Sequence, residues 1–227
     1  MPIKRIKCLG FTIIEILVVI GIILILAAIL YPVLSRAKKA SKFTVCESNL
    51  HQIGIALGIY ESDNNDQYPW ASDPASRNGK CPNTPHLKRP LLAIVLQPYL
   101  KSKDIWHCPL DDGVSKSDKG EPIGCFLPGI PSLFGRFGMS YLYQDMLATD
   151  HISASSSLSN PNGGQIGTSR IPVVFDASGL WHEGKEGDVN PGLEKGYIFT
   201  TLFGDGHVNY LDLQKLLQSG EWFPNPS

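Results

Sequence analysis

Residues able to do chemistry lie in two regions of this chain. The C-terminal half carries Asp176, His182, Glu183, Glu186, Asp188, Asp205 and His207, whereas Glu15 stands alone near the N-terminus. A hydrolase needs a nucleophile held against an activating base. The chain has no Gly-x-Ser-x-Gly elbow, no His-Glu-x-x-His helix and no phosphate-cradling glycine loop. His182 and His207 could meet Asp176 or Asp205 at a metal, but Asp in turns and His at strand ends also serve structure alone. Residues 182–190 place Glu183, Glu186 and Asp188 among glycines. They are the better-composed cation segment, because calcium accepts oxygen ligands in flexible geometry, although solvated loops share that composition. The expectation is a non-enzymatic chain, with no cofactor unless calcium binds at Glu183, Glu186 and Asp188.

Glu15 poses a sharper chemical problem. It is the single ionisable side chain in residues 11–30, a run matching the ~20 residues a helix needs to cross a bilayer. A carboxylate there costs roughly 2.5–3.5 kcal/mol on insertion scales unless something pairs with it. A secretory signal peptide would have a shorter apolar stretch and a small-residue cleavage site; Tyr31-Pro32-Val33-Leu34 offers none. A plain membrane anchor fits the length but leaves Glu15 unexplained.

The elements that must hold these residues follow from periodicity. Beyond Pro32, residues Phe43, Cys46, Leu50, Ile53, Leu57 and Tyr60 recur at spacings of 3, 4, 3, 4 and 3, one apolar face of a helix. One long helix is therefore expected, apolar all round in residues 11–34 and amphipathic in residues 35–60. Pro32 removes one backbone hydrogen bond and is a candidate kink. Gly54 and Gly58 suit either close approach of another element or simple tolerance of glycine. Residues 62–67 end the helix with turn formers. Beyond them, residues 61–227 read as a loop-rich head. A short helix is expected over residues 91–100, with Pro90 at its start. Strands are expected over residues 105–109, 137–143, 171–176 and 197–203, and a Ser/Asn/Gly-rich loop over residues 153–169. Asp205-Gly206 between apolar runs signals a hairpin. Asp212 is placed to cap a short terminal helix.

The N-terminal pattern resembles that of type IV prepilins and type II secretion pseudopilins. The shared features are a short basic leader with Lys4, Arg5 and Lys7, the Gly10–Phe11 junction, Glu15 at the fifth position after it, and the long apolar helix with Pro32 near its end. Phe203-Gly204-Asp205-Gly206-His207-Val208 also resembles the C-terminal motif of a subgroup of these proteins. That subgroup has a His about ten residues upstream of the Asp-Gly pair, whereas His182 here stands farther away. The resemblance implies an α+β, pilin-like fold with the long helix packed on a small antiparallel sheet. It implies cleavage between Gly10 and Phe11 by a prepilin peptidase, N-methylation of Phe11, and assembly through Glu15. The implied partners are other pilin or pseudopilin subunits, a secretion or pilus assembly platform, and the bacterial inner membrane. The chain would cross that membrane once with its head outside the cytoplasm, and join a periplasmic or surface filament.

Loss of a 1–10 leader would remove Cys8 and three of 20 basic residues against 21 acidic ones, leaving a net −4. That balance gives no basic footprint for nucleic acid. Cys46, Cys81, Cys108 and Cys125 remain. In an exported head they are disulfide candidates, with three connectivities open; Cys46 could instead pack as a small apolar residue on its helix. A membrane-tethered binding or enzymatic head that borrows the leader for export is the rival reading.

Overall fold

A computed structural model of the chain describes residues 12–74, 89–113, 130–149, 152–159, 165–177, 189–190, 193–194 and 198–212. Two compact units are distinguished, Met1–Ser41 and Lys42–Ser227.

Helix α1 runs Ile13–Asp63 and contains Pro32 without ending there. Proline leaves the carbonyl one turn earlier without its usual donor, and the Ser35 hydroxyl donates to the Pro32 carbonyl at 3.0 Å. From residue 12 to residue 41 every residue is exposed except half-buried Gly21.

In the second unit the expected apolar stripe is the buried one. Cys46, Leu50, Ile53 and Leu57 are buried, and Phe43 and Tyr60 pack against the core from its edge. Asn49 and Ala56 are also buried on that side. The Asn49 amide donates to the His107 carbonyl at 2.9 Å, which satisfies its buried polar group.

The described strands are β1 (Tyr141–Tyr143), β2 (Leu158–Ser159), β3 (Gln165–Ile166), β4 (Pro172–Asp176), β5 (Val189–Asn190), β6 (Leu193–Glu194), β7 (Ile198–Phe203) and β8 (Val208–Asp212). Among the described residues they form one four-stranded antiparallel sheet in the order β1-β4-β7-β8, with β2-β3 and β5-β6 as separate pairs. This is an α+β, pilin-like architecture. Every residue of β4 is buried, so both faces of the central sheet are covered, as alternation of side chains requires. Pro172 sits at the first position of β4, where a missing N–H is tolerated. The β7–β8 hairpin turns through Asp205-Gly206, with Gly206 at φ 85°, a conformation glycine adopts without a steric penalty.

Helix and sheet meet closely at Gly54. A Cβ there would lie 2.8 Å from Leu202 Cδ1, so glycine is what admits β7. Gly58 faces open space and has no such packing role. At the other end of this face, the Phe43 and Tyr210 rings lie 5.1 Å apart and the Tyr210 hydroxyl donates to Glu47 at 2.6 Å.

Several local expectations are corrected. Residues 105–109 are not a strand: Lys103–Trp106 is a 3-10 turn, capped by the Ser102 hydroxyl accepting from the Asp104 N–H at 3.1 Å. The aromatic and β-branched content of Ile105 and Trp106 serves burial there instead. The 91–100 helix is split into Leu92–Val95 and a 3-10 turn, Gln97–Tyr99, because Pro98 can open a turn but cannot extend the first helix. Phe137 closes a helical turn, Leu133–Phe137, so the strand expected at residues 137–143 is confined to Tyr141–Tyr143. The 153–169 loop contains the β2–β3 pair. The terminal helix expected after Asp212 lies outside the described residues.

One polar cluster and one disulfide tie these short pieces together. The Asp111 carboxylate accepts from the Gly113, Leu133 and Phe134 N–H groups at 3.0, 3.2 and 2.8 Å, and from the Ser140 hydroxyl at 2.9 Å. It thereby neutralises donors that the Leu133–Phe137 turn leaves without partners. A disulfide joins Cys46 on α1 to Cys108, 62 positions further along the chain, with Cα atoms 4.9 Å apart. Cys81 and Cys125 lie outside the described residues.

This cross-link predicts a measurable stability difference. A Cys46→Ala/Cys108→Ala chain should unfold about 2–5 kcal/mol more easily, as read by urea unfolding of detergent-solubilised protein. An unchanged midpoint would show that packing alone holds α1 to the segment around Cys108.

Candidate functional site

The N-terminal end of α1 is built around Thr12 and Glu15. Glu15 Oε2 accepts from the Thr12 N–H at 2.8 Å and from the Thr12 hydroxyl at 2.7 Å, while the Glu15 N–H donates to Thr12 Oγ1 at 3.3 Å. This is a capping box, in which a Thr and the Glu three residues later satisfy each other's backbone donors. An acid in the first turn also faces the positive end of the helix dipole. The expectation of an isolated acid is thus corrected in one respect. Glu15 has no base in its span, but its own helix end supplies hydrogen bonds. The sequence signal for this is the Thr-x-x-Glu spacing at the start of an apolar run. Gly10 and Phe11, the expected cleavage and methylation positions, lie outside the described residues.

The helix that follows is long and apolar enough to cross a membrane, and none of its apolar window is buried within the chain. Ile13, Leu24 and Ile29 are 82%, 68% and 66% exposed. Such a contiguous apolar surface marks contact with a membrane or with other protein.

Among the described residues of the head, Asp176 does not join Asp205 and His207 in one site. Asp176 is buried in β4, where it accepts from the Thr200 N–H at 3.0 Å. Asp205 and His207 are neighbours in the β7–β8 turn: the two side chains bond at 2.5 Å, and the His207 ring stacks on Phe203 with centroids 4.5 Å apart. His182 and the calcium candidates Glu183, Glu186 and Asp188 lie outside the described residues. The acidic helix exit uses its oxygens internally. Asn65 and Asp66 adopt left-handed backbone, and the Asp66 carboxylate accepts from Ser153, Ser155 and the Ser155 N–H. Those hydroxyl bonds hold the Asp66 carboxyl below its ordinary range.

The structure also brings together two residues of the helix exit whose shared cavity the sequence did not indicate. Glu61 and Tyr68 line a cavity of about 190 Å³ between the last turns of α1 and the β7–β8 turn. Burial, followed by the nearby Asp66 charge, pushes the Glu61 carboxyl up to about 7. Burial, then the Glu61 and Asp66 charges, pushes the Tyr68 hydroxyl above its ordinary range. The sequence does not mark this cavity, because its lining glycines lie far apart in the chain.

These features define a pilin-like α+β chain with an exposed apolar N-terminal helix. Residues 5–31 match the model for the prokaryotic N-terminal methylation motif. The chain is also similar to the type IV wide pilus major component PilA4 of Thermus thermophilus. The two are 46% identical over 56 residues, which is 25% of this chain and 43% of that relative. The chain thus matches less than half the length of the curated relative. No solved structure is significantly similar.

The Glu61 shift carries a pH dependence with a definite sign. Its folded value, about 7, lies above the ordinary 4.5. Between these values the native state keeps a proton that the unfolded chain has released, so stability falls as pH rises. Among the described residues, the other titratable groups near Glu61 include Asp66, Tyr68, Tyr143 and the Asp205–His207 pair. Comparing wild type with Glu61→Gln isolates the Glu61 contribution. The variant should lose part of the decline between about pH 4.5 and 7, and gain relative stability at pH 8. Parallel stability–pH curves would show that the carboxyl is no different in the folded chain.

Proposed function

We propose that this chain is a structural subunit of a type IV pilus, or of the related pseudopilus of type II secretion. The observation that carries the reading is the exposed apolar half of α1 directly behind a methylation motif. In lipid such a helix is already satisfied, since all its backbone bonds are internal. Outside lipid, each large side chain left in water forfeits roughly 1.5–3 kcal/mol, so extraction requires other apolar helices to receive it. Copies that each add to the next through unlike surfaces build an open filament rather than a closed ring.

In this proposal a prepilin peptidase cuts after Gly10, the Phe11 amine is methylated, and an assembly platform lifts the subunit from the bacterial inner membrane. The head lies outside the cytoplasm. The Cys46–Cys108 bond supports that side, because disulfides persist in oxidising compartments. The capping box uses Glu15 Oε2 and leaves Oε1 to accept from the Phe11 amine of an incoming subunit. Two charges paired in an apolar bundle offset their desolvation only with good geometry, so the pair sets register more than it adds stability.

Two substitutions separate the cap from the charge. Glu15→Gln keeps the capping box, since Gln serves at that position, but removes the charge. Glu15→Ala removes both, and losing a cap costs about 0.5–2 kcal/mol. Membrane insertion and N-terminal processing should survive in both variants, while sheared-fibre content drops sharply in both. Normal fibre yield from Glu15→Gln would assign Glu15 to helix capping alone.

A further inference from the structure

The cavity beside Glu61 is unlike the rest of the core. Gly54, Gly58, Gly204 and Gly206 contribute no side chains to it, while Leu57 and Leu202 line it with apolar surface. Among the described residues no group donates to the Glu61 carboxylate. The Tyr68 hydroxyl, on a side chain only 4% exposed, has no hydrogen-bond partner among them. It lies beside the cavity wall at Gly204, 2.9 Å from where a Cβ would stand. A buried hydroxyl without a partner keeps its desolvation penalty uncompensated.

The local charge balance has a definite sign. The last turn of α1 contains no basic residue, although the carbonyl end of a helix favours cations. Glu61, Asp63 and Asp66 all cluster there. The Asp205 carboxylate at the rim is engaged by the His207 N–H at 3.1 Å and by the His207 ring. The cavity therefore offers a carboxylate, a hydroxyl oxygen and an apolar wall, and lacks a cation. None of the lining residues is cationic, so an anion would find no countercharge among them. No group of three metal-ligating side chains occurs among the described residues.

We propose that this cavity binds a primary alkylammonium group, with its aliphatic stem along Leu57 and Leu202 and its nitrogen donating to the Glu61 carboxylate and the Tyr68 oxygen. Binding draws the Glu61 carboxyl into its ionised form, so at neutral pH part of the bound population releases a proton to solvent. Two sources supply this chemistry: a free amine, or a lysine of a second copy. The second copy has suitable donors, because Lys38 and Lys39 are exposed and residues 16–46 contain no acid to engage them.

The test titrates the full chain in detergent micelles with n-butylammonium chloride, against sodium chloride at matched ionic strength, by calorimetry at pH 7. The expected result is saturable binding whose heat varies with buffer ionisation enthalpy, with no binding of tetramethylammonium, which cannot donate. Glu61→Gln should weaken binding about tenfold or more, and Tyr68→Phe about twofold to tenfold. Tyr68→Phe should keep its fold, since the lost hydroxyl has no partner among the described residues. Absence of saturable binding by wild type, or equal binding by Glu61→Gln, overturns the proposal. Neither result touches the filament reading, because the micelle titration needs no assembly.

The second arm rests on the filament reading and identifies the source. Carbodiimide treatment of sheared fibres should couple Glu61 to Lys38 or Lys39 of another copy if a neighbour fills the cavity. Fibres that show no such adduct but still bind n-butylammonium point to a free amine. Fibres that show neither overturn a role for the cavity in the assembled state.

Discussion

The whole molecule depends on a mismatch between one helix and water. Residues 12–34 present an almost uninterrupted exposed apolar surface that no described residue covers, and a single acid sits at its start. Lipid removes the mismatch, because a helix satisfies its own backbone and the side chains match hydrocarbon. Packing against other apolar helices removes it equally well. Association within lipid gains little from hydrophobicity and relies on close packing and polar contacts. In the proposed filament, a carboxylate whose Oε1 no described residue engages would therefore matter more than its small energy suggests. The capping box fixes where the carboxylate points before any partner arrives, so the cost of ordering it is met within the helix itself.

The rest of the fold secures the other end of the same helix. Its buried stripe, the Cys46–Cys108 bond and the Gly54–Leu202 approach hold the second half of α1 in the head. The head's short helical turns and two-residue strands would be weak alone. Asp111 and Asp66 compensate by tying distant loops together through several hydrogen bonds each. In the region where α1 leaves the sheet, glycines replace side chains around a cavity that holds the perturbed Glu61 and Tyr68, whose hydroxyl has no partner among the described residues.

How much of this was legible in the sequence varies with the range of the interaction. The apolar span and the Phe43-to-Tyr60 stripe are periodic over many residues, and such patterns survive tertiary packing. Asp205-Gly206 between apolar runs identified its hairpin because the turn chemistry is local. Ile105 and Trp106 misled, since their strand-like character reflects burial while the Ser102 cap decides the backbone. The Thr12-Glu15 box was written in the sequence, but the unusual charge of Glu15 masked its ordinary capping role. The pairing of Cys46 with Cys108 and the cavity joining residues 54–61 to residues 202–206 were not legible, because nothing local connects such distant segments.

The central claim is that the exposed apolar half of α1 is covered by other copies of itself in the assembled state. A photoreactive amino acid placed at Ile23, 57% exposed in the isolated chain, tests it directly. Irradiation of sheared fibres should yield adducts between Ile23 and residues 11–34 of a second copy, whereas irradiation of unassembled membranes should yield mainly lipid adducts. Lipid adducts in both samples, with no chain-to-chain product in fibres, would contradict the account and leave α1 as an anchor.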